Sequence, residues 1–295
     1  MNALTWLRRS PRLAVVIVVA GLAVVVTAVA FAATTPAPAI QTFTPHFAGQ
    51  ITNIDVLRQQ IKNYYGDPLA VTGPNGTWSA GLNLDSNYAR EAGSVADEGE
   101  HWLAARAHAH STSGMKAIVL DVDDTTLATW NYELYSNWDY NPTTNGQFVT
   151  GELFPAVPGM VGMVQQAKAE GYTIIWITGR PAAQEAPTLA NLTKADVGYP
   201  APTALPTATL GGGADGLFTK PATTADYPPY LQTACADEIA AGKSCTTDHY
   251  KAATRGYIES LGYEIVANFG DQYSDFSGGF EDRTFKMPNP NYFLP

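Results

Sequence analysis

The sequence predicts an α/β fold: a three-layer α/β/α, Rossmann-like parallel sheet with a small cap, preceded by a helical N-terminal segment. From residue 117 onward, short apolar runs alternate with stretches of helical spacing, an order typical of parallel sheets covered on both faces. The 295 residues are 45% hydrophobic, which is enough for a sizeable core. Polar clusters follow several of the apolar runs, which is where such sheets bind their ligands.

Two amphipathic helices are predicted ahead of the sheet. Apolar residues recur at intervals of three and four over residues 51–66 and 84–110, as on one face of a helix. Pro74-Asn75-Gly76 predicts a turn between them. We therefore expect a helical N-terminal segment over residues 51–114 and the core domain over residues 115–295.

Five short apolar runs predict the strands of the sheet: residues 117–120, 172–177, 216–219, 264–268 and 283–287. Helices are expected to begin near Pro158, at Pro181 and near Tyr250, and Gly262 is a typical C-terminal stop. An aromatic-rich loop is expected after the first strand. The stretch 199–247 is rich in Pro, Thr and Gly, and we expect it to be an inserted loop segment.

The N-terminal residues have the pattern of an export signal. Three arginines precede an uncharged apolar run over residues 13–33, and Ala30-Phe31-Ala32 offers the small-x-small pattern of a cleavage site. The run is close to the length that spans a bilayer, so residues 1–32 are either a cleaved signal peptide or a retained anchor. A buried core helix is disfavoured because the run has no polar face. We expect a secreted or extracytoplasmic protein with a linker over residues 33–50.

The net negative charge of the chain disfavours anionic macromolecules as binding partners. The chain carries a net charge of −10, and without residues 1–32, which hold three arginines and no acid, the charge is −13. Nucleic acid and anionic membranes both require a basic surface, so neither is an expected partner apart from membrane contact through the N-terminal segment. An anionic small-molecule substrate would need local positive charge at its site.

The chain has two cysteines, Cys235 and Cys245. In an exported chain, a pair so close in sequence indicates a disulfide, with two free buried thiols as the alternative. A metal site is disfavoured because His249 is the only histidine near them in sequence.

Four polar clusters occur at or near the ends of predicted strands: Asp121-Val122-Asp123-Asp124-Thr125, Thr178-Gly179-Arg180, Lys251, and Gly270-Asp271-Gln272-Tyr273-Ser274-Asp275. Converging carboxylates repel each other unless a cation joins them, and Mg²⁺ is the usual oxygen-liganded cation beside phosphate. Lys251 and donors at Thr178 would then surround a tetrahedral anion. A carboxylate beside a phosphoryl group is a competent nucleophile, and a second carboxyl two residues on can serve as general acid and base.

These motifs resemble the haloacid dehalogenase superfamily, and more narrowly its class B acid phosphatase branch, which includes plant vegetative-storage-type and bacterial outer-membrane acid phosphatases. The matching stretches are AIVLDVDDTTL, YTIIWITGR, NLTKADVGY, YKAATRGYIESLGYEIVANFGDQYSDFSGG and FKMPNPNYFLP, which lie within residues 117–295. The segment 199–247 departs from the family pattern. The resemblance implies hydrolysis of small-molecule phosphomonoesters through an aspartyl-phosphate.

The resemblance also implies roles for individual residues. Asp121 matches the nucleophile and Asp123 the general acid and base. Thr178 matches the phosphoryl-binding hydroxyl and Lys251 the cation that stabilises the phosphoryl charge. The substrate contacts expected on this basis are Thr178, Gly179, Arg180 and Lys251.

The expected Mg²⁺ ligands are Asp121, the main-chain carbonyl of Asp123, and Asp271, with Asp275 as a weaker or outer ligand. A phosphotransferase with the same intermediate and a non-catalytic storage or binding relative are the alternative functions. The presence of Asp121 and Asp123 argues against the storage alternative. A dehalogenase is disfavoured because that branch lacks the acid at the position of Asp123.

Three assignments stay open at the level of sequence. Arg180 is either a structural pairing residue or a substrate contact. The aromatic residues after the first strand either line a pocket for the leaving group or pack a small cap; they are Trp130, Tyr132, Tyr135, Trp138 and Tyr140. The histidines His101, His108 and His110 do not share one helical face, so a solvated surface is favoured over a metal site.

Overall fold

The computed structural model describes residues 44–66, 82–107, 114–205 and 215–294. The predicted signal or anchor over residues 1–32, the turn at residues 74–76, and His108 with His110 lie outside the described residues. Within the described ranges, no helix combines the length and the apolar character needed to cross a bilayer.

A five-stranded sheet forms the centre of the described protein, and all of its pairings are parallel. Its strands are Met115–Leu120 (β1), Thr173–Pro181 (β2), Leu217–Lys220 (β3), Tyr263–Gly270 (β4) and Thr284–Lys286 (β5). They are ordered β3-β2-β1-β4-β5 across the sheet. The predicted parallel sheet is confirmed, and every strand end lies within four residues of its expected position.

The register of the sheet aligns the carboxyl-terminal parts of three strands. Leu120, the last residue of β1, is paired with Trp176 of β2 and with Phe269 of β4. The carboxyl-terminal parts of β1, β2 and β4 therefore lie at one edge of the sheet, with β2 and β4 on either side of the central strand. This edge holds the chain at residues 121–125, 178–180 and 271–275.

The helices of the described residues are Ile54–Tyr65 (α1), Asn87–Ala107 (α2), Trp130–Ser136 (α3), Pro142–Thr150 (α4), Met160–Ala169 (α5), Glu185–Thr193 (α6), Pro229–Ala234 (α7), Ala236–Ala240 (α8) and Thr247–Ser260 (α9). The sheet is buried on both faces because alternate residues of each strand enter different cores. Ile118 and Leu120 enter a first core shared with α2 and α5, whereas Ala117 and Val119 enter a second core with α9. This is the predicted three-layer arrangement.

The chain between β1 and β2 differs from the expectation. The predicted aromatic loop contains the helices α3 and α4. Helix α4 begins where Asn141 accepts hydrogen bonds from the backbone N–H groups of Thr143 and Thr144, with Pro142 as the first helical residue. An N-cap asparagine followed by proline is a recognisable start signal that outweighs the weak helix propensity of the residues after it.

One further expectation, about the start of a helix, was wrong. Pro181 does not begin a helix: it ends β2, a short 3₁₀ turn over Ala182–Gln184 follows, and α6 starts only at Glu185. The described part of the segment 199–247 contains the predicted strand β3 and also the short helices α7 and α8.

The predicted disulfide between Cys235 and Cys245 is present, with 5.4 Å between the two Cα atoms. Both cysteines are buried in the second core. The backbone N–H of Cys245 also donates to the Tyr227 hydroxyl at 2.9 Å. The bridge thus ties the end of α7 to the chain that leads into α9.

Candidate active site

The loop after β1 is fixed by hydrogen bonds to its backbone groups. The Asp121 N–H donates to the Phe269 carbonyl of β4 at 3.0 Å, so this residue continues the sheet register by one position. The Thr126 hydroxyl donates to the Asp121 carbonyl at 3.0 Å. Asp124 has a φ of 51°, and its N–H donates to the Leu127 carbonyl at 2.7 Å. These bonds close a tight turn that fixes Asp121 at the edge of the sheet.

Lys251 joins two of the buried carboxylates. Its Nζ lies 2.5 Å from Asp121 Oδ1 and 2.5 Å from Asp275 Oδ1. Burial alone would lower the pKa of Lys251, but the charges of the two carboxylates and the hydrogen bonds to them raise it above its ordinary value. Lys251 is therefore a fixed positive charge on the fifth residue of α9.

A third carboxylate completes a cluster. Asp121, Asp271 and Asp275 each offer an oxygen, and these three atoms lie within 4.8 Å of one another. Burial, together with the charges of Asp275 and Asp124, raises the pKa of Asp271 to about 7. Burial raises the pKa of Asp124 to about 7 as well. The site thus holds more negative charge than Lys251 compensates.

The donor set fits a hard divalent cation. The three side chains of the cluster are carboxylates, and oxygen-only ligands suit Mg²⁺, Ca²⁺ or Mn²⁺ rather than a softer metal. A divalent cation held by Asp121, Asp271 and Asp275 would neutralise the like charges that, after burial, raise the pKa of Asp271. Among the described residues, the cluster can therefore hold one divalent metal ion.

Asp123 is held separately from the cluster. The Arg180 guanidinium donates from Nε to Asp123 Oδ2 at 3.0 Å and from Nη2 to Asp123 Oδ1 at 2.7 Å. Its Nη1 donates to the Thr188 hydroxyl at 2.9 Å. The side chain of Asp123 is 31% exposed, whereas that of Arg180 is 4% exposed. Arg180 is thus engaged as the pairing interpretation expects, and Asp123 is the acid that solvent can reach.

Thr178 and Gly179 lie at the end of β2, beside α9. Thr178 is buried, and its hydroxyl accepts a hydrogen bond from the Arg180 N–H at 3.2 Å. A Cβ at Gly179 would lie 3.1 Å from the Cγ2 atom of Thr247, so glycine lets the first residue of α9 approach this strand end. This part of β2 therefore lies against the N-terminus of α9, the helix that carries Lys251.

The loop after β4 is braced from α9 by a residue that the sequence analysis missed. Arg255 donates to the backbone carbonyls of Asp275 at 2.5 Å and of Gly279 at 2.9 Å, and also to that of Ser277. Because Arg255 follows Lys251 by four residues, both lie on one face of the helix, and this spacing was the available signal. The helix thus supplies both the cation and the brace for Asp275.

Asp275 also packs closely against the strand it follows. A Cβ on Gly270 would lie 2.4 Å from the Cβ atom of Asp275, so only glycine fits at the end of β4. The Asp275 carboxylate accepts the Gln272 N–H at 2.8 Å, which caps the 3₁₀ turn Tyr273–Asp275. This turn places Asp271 and Asp275 in the same cluster.

The aromatic residues after β1 differ in their burial. Trp130 and Tyr132 are buried, and Trp130 stacks on Tyr65 of α1 with 4.1 Å between the ring centroids. These two pack the cap onto the N-terminal segment, as the packing alternative expects. Tyr140 is 69% exposed and contributes little to the core. His101 is exposed on α2, as the solvated-surface alternative expects.

Comparison with known proteins gives consistent matches. The family model described as HAD superfamily, subfamily IIIB (acid phosphatase) matches residues 39–212 and 222–295. "Acid phosphatase 1" of Solanum lycopersicum is 26% identical over 213 residues, which are 70% of this chain and 69% of the tomato protein. "Stem 28 kDa glycoprotein" of Glycine max is 29% identical over 181 residues, covering 60% of this chain. That match spans only 59% of the soybean protein's own length.

A solved structure supports the fold. The crystal structure of a class C acid phosphatase from Bacillus anthracis with tungstate bound superposes with a TM-score of 0.50 at 19% sequence identity. The superposition covers 71% of this chain and 81% of the bacterial protein. At this identity the likeness concerns the chain fold.

Proposed function

Because this chain belongs to subfamily IIIB of the HAD superfamily, the acid phosphatases, we propose that it is an exported, Mg²⁺-dependent phosphomonoester hydrolase. It acts through an aspartyl-phosphate on Asp121. The observation that carries this proposal is the cluster of three buried carboxylates, two of them bonded to Lys251, at the carboxyl edge of the sheet. This edge is where a parallel sheet binds an anionic ligand.

In the proposed reaction, an Asp121 carboxylate oxygen attacks phosphorus, and the bond to the leaving-group oxygen breaks. Asp123 gives its proton to that oxygen, so the alcohol leaves neutral. Asp123 then takes a proton from water, whose oxygen attacks phosphorus and releases phosphate and the Asp121 carboxylate. Asp123 therefore loses one proton in the first step and regains one in the second, so that each cycle restores its starting protonation state.

The phosphoryl group is held by fixed charges and donors of this chain. Lys251 Nζ, which bridges Asp121 and Asp275, faces the nucleophile directly and neutralises charge that builds on the phosphoryl oxygens. The Thr178 hydroxyl and the Gly179 backbone are the proposed remaining contacts. Mg²⁺ held by Asp121, Asp271 and Asp275, with the Asp123 carbonyl, would supply further charge neutralisation. Positioning and charge dominate the catalysis of phosphoryl transfer.

Export is part of the proposal and is supported by two features. The N-terminal residues have the order of basic residues, apolar run and small-x-small site that signals export. The Cys235–Cys245 bridge is of a kind that persists mainly in oxidising compartments. Peptide mapping of the N-terminus of the exported protein would distinguish a cleaved signal from a retained anchor.

A steady-state assay tests the activity and its metal requirement together. Purified protein is incubated with p-nitrophenyl phosphate, an alkyl phosphate and a nucleoside monophosphate, after exhaustive chelation and again after Mg²⁺ is added back. We expect hydrolysis to require added Mg²⁺. Full activity after chelation would refute the metal dependence, and no hydrolysis of any ester would favour the storage or binding alternative.

The same assay separates hydrolysis from phosphotransfer. Adding an alcohol such as glycerol gives the aspartyl-phosphate a second acceptor. If the ratio of released phosphate to released nitrophenol stays at one, water is the acceptor. A ratio well below one would identify a phosphotransferase.

A further inference from the structure

The C-terminal segment, residues 288–294, reaches into the carboxylate cluster. It follows β5, where the Met287 N–H donates to the Gly270 carbonyl at 2.8 Å. We infer that Asn289, together with Gln272, positions the Asp271 carboxylate for metal binding, so that the C-terminal segment is a working part of the site. This inference rests on the proposed Mg²⁺ site and assigns Asn289 as a positioning residue.

The amide of Asn289 is oriented by the backbone. Its Oδ1 accepts the Asn291 N–H at 2.8 Å, and this bond requires that the amide nitrogen lie on the other side. Nδ2 accordingly donates to Asp271 Oδ2 at 2.6 Å and approaches Asp124 Oδ2 at 3.4 Å. Asn289 therefore presents its donors to carboxylates in the only amide orientation that satisfies the backbone.

Gln272 is oriented in the same way. Its Oε1 accepts the Leu294 N–H at 2.8 Å, and its Nε2 donates to Asp271 Oδ2 at 2.6 Å. Asp271 Oδ2 thus receives two amide donors, and the C-terminal backbone sets the orientation of both. Oδ1 of the same carboxylate accepts only a longer hydrogen bond, from the Thr125 hydroxyl at 3.4 Å. With Oδ2 committed to the amides, Oδ1 is the oxygen that remains to bind a metal.

Hydrogen bonds of this kind commonly tune metal sites. A ligand whose second oxygen is fixed by donors loses little rotational freedom on binding, and its orientation is set before the metal arrives. Asn289 and Gln272 are neutral, so they fix the carboxylate without competing with the metal for its charge. A Lys or Arg at either position would pair with Asp271 and weaken its interaction with a cation.

A neighbouring residue of the same type provides a matched control. Asn291 Nδ2 donates to the Tyr65 hydroxyl of α1 at 3.0 Å, and Asn291 Oδ1 accepts from Trp138 Nε1 at 3.3 Å. Asn291 therefore anchors the segment to the N-terminal helix and to the cap, and within the described residues its side-chain hydrogen bonds go to Tyr65 and Trp138 rather than to Asp271. Its backbone N–H, which orients Asn289, persists in an alanine variant.

The test is isothermal titration of Mg²⁺ into the full mature chain, carried out for the wild type, Asn289→Ala and Asn291→Ala. Removing an outer-shell partner of a ligand typically weakens metal affinity by about 10–100-fold, and we expect a loss in this range for Asn289→Ala. Asn291→Ala should lower the melting temperature and retain an Mg²⁺ affinity close to that of the wild type. Gln272→Met, which removes the other donor to Oδ2, should weaken Mg²⁺ binding in the same direction and carries the test if Asn289→Ala does not fold.

Two results would overturn the inference while leaving the proposed function intact. One is Mg²⁺ affinity in Asn289→Ala or Gln272→Met equal to that of a wild type that binds Mg²⁺. The other is an equal loss in Asn289→Ala and Asn291→Ala, which would make the segment a structural support only. A wild-type protein that binds no Mg²⁺ would instead refute the metal site itself, and this inference with it.

Discussion

Two cations hold the acids of this site, and they hold them differently. Lys251 bridges Asp121 and Asp275, and the side chains of all three are at most 7% exposed. Arg180 forms an ion pair with a single acid, Asp123, whose side chain is 31% exposed. The difference matches the two proposed chemical tasks, nucleophile for Asp121 and general acid for Asp123. A nucleophile benefits from a buried and fixed environment, whereas an acid that exchanges protons with water and a leaving group must be reachable.

The geometry of the two pairs follows from the two cations. A lysine ammonium is a compact charge with three donors, which suits a position between two carboxylates and a phosphoryl oxygen. An arginine guanidinium presents a planar fork that matches one carboxylate through two hydrogen bonds. Exchanging either residue for the other type of cation would therefore disturb the site even though the charge is kept.

The largest effect should come from removing the buried cation. In Lys251→Met, kcat should fall by about 10²–10³-fold because the phosphoryl charge loses a fixed partner. The melting temperature of the metal-free protein should also fall, since Asp121 and Asp275 become unpaired buried charges. Steady-state kinetics and thermal unfolding measure both effects. Lys243→Met, at an exposed lysine of the inserted segment, is the control and should change neither.

The exposed acid should show a dependence on the leaving group. Asp123→Asn should lower kcat/KM for alkyl phosphates by roughly 10²-fold or more, because an alkoxide needs a proton to leave. The loss should be much smaller for p-nitrophenyl phosphate, whose phenolate leaves without protonation. Equal losses for both substrates would argue against a general-acid role for Asp123.

Arg180 should have a smaller effect, and only through Asp123. Arg180→Lys replaces the two hydrogen bonds to the Asp123 carboxylate by one. The loss of one charge-assisted hydrogen bond, about 1.5 kcal/mol, corresponds to about a tenfold fall in kcat/KM. In a double-mutant cycle the loss should disappear when Asp123 is already Asn. Thr188→Val, which removes the other partner of the guanidinium, is the matched control. Additive losses in the cycle would indicate that Arg180 contacts the substrate directly.

The smallest effect on activity should come from reduction of the disulfide. Both cysteines lie in the second core with α9, and neither sulfur takes part in the proposed reaction. Closing so short a loop removes unfolded-state entropy worth roughly 2.5–3 kcal/mol, so reduction should lower the melting temperature by several degrees. Activity at low temperature should persist. A free-thiol count on the unfolded, unreduced protein should find none, and two titratable thiols would show that the pair is not bridged.

The sequence predicts the framework of the molecule better than its periphery. The runs before Asp121, Thr178 and Asp271 are short and strongly apolar, so the strands and the motifs at their ends are local properties of the chain. Lys251 and Arg255 sit on a helix whose apolar spacing is visible. These elements could be predicted because their signals lie within a few residues.

The cap and the C-terminal contacts could not be predicted in the same way. Helix α3 spans only seven residues, too few for helical periodicity to stand out, and it is stabilised by stacking of Trp130 on Tyr65. Asn289 reaches Asp271 across 18 positions, and Asn291 reaches Tyr65 across 226. Such contacts form only when distant segments have assembled around the sheet. The sequence next to Asn289 or Asn291 contains no pattern that predicts them.

The proposed mechanism depends on transfer of the phosphoryl group to Asp121. The direct measurement is to quench the enzyme during turnover in acid, reduce acyl-phosphates with borohydride, and locate the modified residue by peptide mass spectrometry. We predict that the modification maps to Asp121, depends on substrate and Mg²⁺, and is absent in Asp121→Asn, which should also retain no more than a few per cent of wild-type kcat. A modification that maps to another residue, or an Asp121→Asn variant that still turns over at a substantial rate, would contradict the account.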